Sequence, residues 1–140
     1  MPSMEKWLAP LLGFSLLIGT AALAGSNDVA QGRALYRRYC ASCHGFTGEG
    51  DGPMARSLST PPTNLRLLSD RYGSPLPEDQ IARFIDGRVD VKAHGPRDMP
   101  VWGKRFYAED GSKRLVKDRI AKLLAYLQSI QNAIRRASHK

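Results

Sequence analysis

The feature that most constrains this chain is the run Cys40-Ala41-Ser42-Cys43-His44. The 140 residues hold only two cysteines, three positions apart, and a histidine follows the second directly. On a helix that spacing turns both thiols toward the same side, nearly one turn apart. Each sulfur can then add to one vinyl group of the same porphyrin, with the next residue beneath the iron. The pattern reads as the covalent attachment site of a c-type haem. A dithiol redox pair would need a βαβ setting, and no strand pattern surrounds the motif. A structural zinc site would need four ligands, and there is no second cysteine pair. A Cys40–Cys43 disulfide would leave His44 without a role. With a single C-x-x-C-H in the chain, one haem is expected and a multihaem array is excluded.

The N-terminus carries a different message. From Trp7 to Leu23 the chain has no charge and is mostly apolar, and Lys6 is the only basic residue before it. Ala22-Leu23-Ala24 supplies the small-x-small pattern of a cleavage site. Residues 1–24 therefore read as a secretory signal peptide. The apolar stretch is also close to the lower limit for spanning a bilayer, so an uncleaved membrane anchor is the alternative. Either outcome exports residues 25–140, and a periplasmic location is expected. The remaining length suits one domain with one small core.

Helical periodicity dominates that domain, and no strand is evident, so an all-α fold is expected. Ser26-Asn27-Asp28 offers an N-cap for a helix over about 28–42, which delivers the cysteines and His44. Residues 45–62 are rich in Gly, Pro and Ser and read as loop, with a short helix near Met54–Leu58. Another short helix is expected over Asn64–Asp70. Pro77-Glu78-Asp79 opens a helix with Ile81, Phe84 and Ile85 inward, and Gly87 closes it. Residues 88–111 lack clear periodicity and are expected to form a long loop. Val116, Ile120, Leu123, Leu127, Ile130 and Ile134 alternate steps of four and three, the apolar stripe of a helix over about 113–134.

The sixth position on the iron has four candidates: Met54, Met99, His94 and His139. Met54 follows His44 too closely to leave its side of the haem. His139 sits at a terminus, where fraying is the default. Met99 lies far along the chain between Asp98 and Pro100, an odd place for a core-filling methionine. It is the favoured ligand, with His94 as runner-up.

These residues carry a resemblance. Gly32-x-x-Leu35-Tyr36-x-x-Tyr39 followed by the haem motif is similar to class I cytochromes c. Gly48-x-Gly50-Asp51-Gly52-Pro53 resembles the loop that follows in many bacterial members. Met99-Pro100-Val101-Trp102-Gly103 resembles the distal-methionine motif of small cytochromes and cytochrome subunits of oxidases. Leu123-Leu124-Ala125-Tyr126-Leu127 resembles their last helix. The resemblance implies the class I cytochrome c fold, with small helices wrapped around the haem. It implies that Gly32 lets the first and last helices cross closely, with Tyr36 near Tyr126. It implies that the Pro53 carbonyl accepts a hydrogen bond from the His44 ring, and that Trp102 covers the haem edge. Arg66, Arg97 and Arg105 are candidates for the haem propionates.

An iron held by both His44 and Met99 has no open position, which favours outer-sphere electron transfer over catalysis. The expected function is electron carriage in an extracytoplasmic respiratory or redox chain. The alternatives are a haem enzyme or gas sensor with a labile sixth ligand, and a cytochrome subunit of a larger oxidoreductase. The net charge is +8, and basic residues crowd the last third, where only Asp118 offsets them after residue 110. Such a field suits docking on an acidic redox partner. No nucleic-acid motif accompanies it.

Overall fold

The structure is a computed structural model that describes residues 20–88 and 98–138, with side chains over 25–88 and 98–131. Among the described residues there are helices and turns and no strand. Six α-helices follow one another: α1 (Thr20–Tyr39), α2 (Ala41–His44), α3 (Leu68–Tyr72), α4 (Glu78–Asp86), α5 (Trp102–Asp110) and α6 (Lys113–Ser138). Two 3-10 turns, Ala55–Ser57 and Leu65–Leu67, punctuate the connection from α2 to α3. Among the described residues, no helix is long and apolar enough to cross a membrane. Residues 1–19, and with them most of the expected leader, lie outside the described residues, as do His94, Arg97 and His139.

The frame is the crossing of α1 and α6. Gly32 is what allows it: a Cβ there would drive into the carbonyl of Lys122. One turn on, the Tyr36 and Tyr126 rings meet with centroids 5.1 Å apart. The expected stripe of α6 packs inward, with Val116, Ile120, Leu123 and Leu127 buried. Leu124 and Tyr126 are buried beside it. The side chain of Ile134 lies outside the described residues.

Two features of the helices differ most from expectation. α1 begins at Thr20 and not near residue 28, because the alanine-rich run before Ser26 is itself a strong helix former. Asn27 is therefore no cap; its Oδ1 accepts from Gln31 Nε2 one turn later, at 3.0 Å. The second difference is α5, which occupies much of the stretch expected to be loop. Its inward positions are only Trp102 and Phe106, four apart, with the small Gly103 beside α4. Gly111 stops it with φ 65°, and its N–H donates to the Tyr107 carbonyl at 2.8 Å. A nine-residue helix with two core residues leaves too short a periodic signal to stand out. The Trp102–Phe106 spacing and the glycine after Asp110 were the available clues.

α4 matches expectation more closely. Glu78 and Asp79 fill its first turn, where they oppose the positive end of the helix dipole, and Gly87 caps it. Ile81 and Ile85 are buried, while Phe84 is partly buried.

Candidate haem site

α1 hands directly into the attachment motif. Cys40 N–H donates to the Tyr36 carbonyl at 2.8 Å, and His44 N–H donates to the Cys40 carbonyl at 2.9 Å. The chain thus keeps helical hydrogen bonding through the motif, and Gly45 ends it with a bond to Ala41 O at 2.9 Å. The Tyr36 hydroxyl seals this end by donating to the Gly45 carbonyl at 2.6 Å.

Both cysteines are free thiols, each partly buried. Burial, and then Cys43 beside it, push the Cys40 thiol up to about 12. The His44 ring is oriented by a backbone carbonyl 3.0 Å from Nδ1, and that carbonyl belongs to Thr63. A ring nitrogen facing a carbonyl must donate, so the proton sits on Nδ1 and Nε2 keeps its lone pair. Burial lowers the His44 pKa and favours the neutral ring, and the Thr63 carbonyl opposes it only in part.

The expected partner for that ring was Pro53, and the structure corrects it. Residues 52–54 fold back along the helix backbone instead. Gly52 N–H donates to Cys43 O at 3.1 Å and Met54 N–H to Ser42 O at 2.9 Å, leaving Pro53 exposed. The Pro61-Pro62 pair then stiffens the strand of chain that carries Thr63 past the ring. Those two prolines were the only sequence signal for Thr63.

Two adjoining cavities open beside the motif. The larger, about 340 Å³, is walled by Tyr36, Leu68, Ile81, Phe84, Leu123 and Leu127, and Cys40, His44 and Met99 also reach it. The smaller, about 260 Å³, is bounded by Cys43, Pro62, Asp98, Pro100 and Trp102. Cys40, His44, Thr63 and Met99 line both. The apolar walls, two free thiols, an imidazole lone pair and a thioether form the donor set and shape that a covalent haem requires. Met54 is half-exposed and lines neither cavity.

Other expected residues fall around this cleft. Trp102 is buried and stacks on Phe106 at 5.7 Å. Arg66 is paired with Glu49 at 2.9 Å, and Arg105 with Glu109 at 3.4 Å. Sequence reasoning passed over Arg71, which reaches the larger cavity and has no ion-pair partner among the described residues. It passed over Asp98 as more than a turn residue. The Asp98 carboxylate accepts from Ser59 Oγ at 2.6 Å and from Thr60 N–H at 3.0 Å. Those bonds, the Ser59 one first, hold its pKa below the ordinary carboxylate value.

Comparison with known proteins decides the family. Residues 27–127 match the family model described as cytochrome c oxidase, cbb3-type, subunit III. The chain belongs to this family of c-type cytochromes. Its cofactor is therefore a c-type haem. The cytochrome bc1 complex cytochrome c subunits of Mycobacterium bovis and Mycobacterium tuberculosis are 30% identical to it over 102 residues. That alignment covers 71% of this chain and 29% of each relative. The cytochrome thus spans less than a third of the curated relatives it matches. No solved structure matches it.

Proposed function

We propose that the chain carries single electrons between proteins outside the cytoplasm through one haem, attached at Cys40 and Cys43 and ligated by His44 and Met99. The observation that carries this reading is the meeting of both cavities at His44 and Met99, beside the two thiols. The haem supplies the one-electron couple. The protein's part is to hold both ligands and exclude water. His44 presents Nε2 because Thr63 occupies Nδ1. Leu68, Ile81, Ile85 and Leu123 line the cleft with hydrocarbon, so little polar reorganisation accompanies a change of charge. Arg71 offers a guanidinium to a propionate from the larger cavity, and Trp102 covers the cofactor edge from the smaller one. The single C-x-x-C-H supports one haem, and the apolar N-terminal segment supports export or anchoring.

Carbon monoxide tests the ligand set. The reduced wild-type holoprotein should resist it. Met99→Ala should bind it rapidly and show a lowered reduction potential, as expected when a thioether leaves the iron. Rapid binding by the wild type, or an unchanged potential in the variant, refutes the assignment.

A second reading, a cytochrome subunit of a larger respiratory complex, is favoured by the names of the family and of the mycobacterial relatives. Detergent extraction under native conditions distinguishes it: a subunit migrates with its complex, a mobile carrier alone.

A further inference from the structure

We propose that Asp98 is a positioning residue for Met99, and that residues 59–63 form a strap linking the two residues that would ligate the haem iron. This rests on the assignment of Met99 above.

The strap begins at Ser59 and Thr60, which both donate to a single oxygen, Asp98 Oδ2, at 2.6 and 3.0 Å. It ends at Thr63, whose carbonyl holds the His44 ring at 3.0 Å. The first contact fixes the backbone one peptide before Met99. The last fixes the orientation of the His44 ring. Thr60, Thr63, Asp98 and Met99 all line the smaller cavity, so the strap forms one of its walls. A thioether binds iron weakly and is easily displaced. Holding its backbone would keep the thioether where it can ligate a bound haem iron and would disfavour a competing ligand.

Position distinguishes this role from ordinary surface bonding. Asp98 is exposed, and polar contacts at such a site contribute little to global stability. Removing the clamp should therefore leave the unfolding transition nearly in place while loosening the iron–sulfur bond. Outer contacts to metal ligands are commonly worth about 10–100-fold in metal binding.

The experiment uses the haem-loaded full chain. Asp98→Ala should raise the rate of carbon monoxide combination about tenfold or more and weaken the far-red charge-transfer band of a methionine-ligated ferric haem. Asp98→Asn keeps an accepting oxygen for both donors and should stay close to wild type. Ser59→Ala removes one of the two bonds and should fall between; it also serves as the readout if Asp98→Ala fails to accumulate. Wild-type rates in both Asp98→Ala and Ser59→Ala overturn the proposal, as does an Asp98→Asn variant as open as Asp98→Ala. Met99→Ala separates the two levels. If it retains the band, the ligand assignment falls. If it loses the band while the clamp variants keep theirs, only the strap falls.

Discussion

Tyr39, the residue before the first attachment cysteine, anchors a polar cluster. Its hydroxyl donates to Glu109 Oε2 at 2.7 Å, and Arg119 reaches Glu109 at 2.8 Å and Asp110 at 2.6 Å. The Tyr39 hydroxyl, then Arg119, bring the Glu109 carboxyl from its ordinary 4.5 to about 2. A carboxylate depressed in the folded state makes the unfolded chain bind more protons. Its stabilising contribution is present above about pH 4.5 and is lost as pH falls through about 2. Glu109→Gln should flatten the acid side of the stability profile between those limits, measured by denaturant unfolding across pH. A profile as steep as wild type would place the acid sensitivity elsewhere. This cluster was not legible in the sequence, since Tyr39, Glu109 and Arg119 meet only when α1, α5 and α6 pack. Cys40, Cys43 and His44 were legible because their chemistry lies within five consecutive residues.

Among the elements, the α1–α6 crossing is the least tolerant. Nothing can be added at Gly32 without moving the α6 backbone at Lys122. Gly32→Val should lose about 1–3 kcal/mol of stability, read from chemical unfolding of the holoprotein. An unchanged midpoint would mean that the helices can separate without penalty. The long stripe of α6 and the Pro77–Gly87 frame of α4 could be read from local sequence because each repeats or is capped. α5 could not, since its nine residues carry only Trp102 and Phe106 inward and owe their helix to packing against α6 and Tyr39. The partner of the His44 ring escaped for a related reason. Thr63 is 19 residues away and acts through its carbonyl, which no side-chain pattern reports.

Over the whole molecule, the excess positive charge is unevenly engaged. Arg119 is tied to Glu109 and Asp110, and Lys122 to Asp118 at 2.7 Å. Lys113, Arg114 and Lys117 remain exposed along the start of α6, and Arg37 and Arg38 lie exposed at the end of α1 that bears the haem motif. Electron exchange with an acidic partner should therefore slow as salt rises. Lys113→Glu/Lys117→Glu should reduce both the rate at low salt and its salt dependence in stopped-flow measurements. A rate indifferent to salt would exclude electrostatic docking.

The two glutamines of α6 make the cofactor cleft depend on the last helix. Gln128 accepts from Leu76 N–H at 2.8 Å, and buried Gln131 accepts from Ser69 N–H at 3.1 Å, so the wall containing Leu68, Arg71 and Tyr72 is held by α6. A chain cut before residue 128 would therefore lack both of these bonds to the cofactor wall.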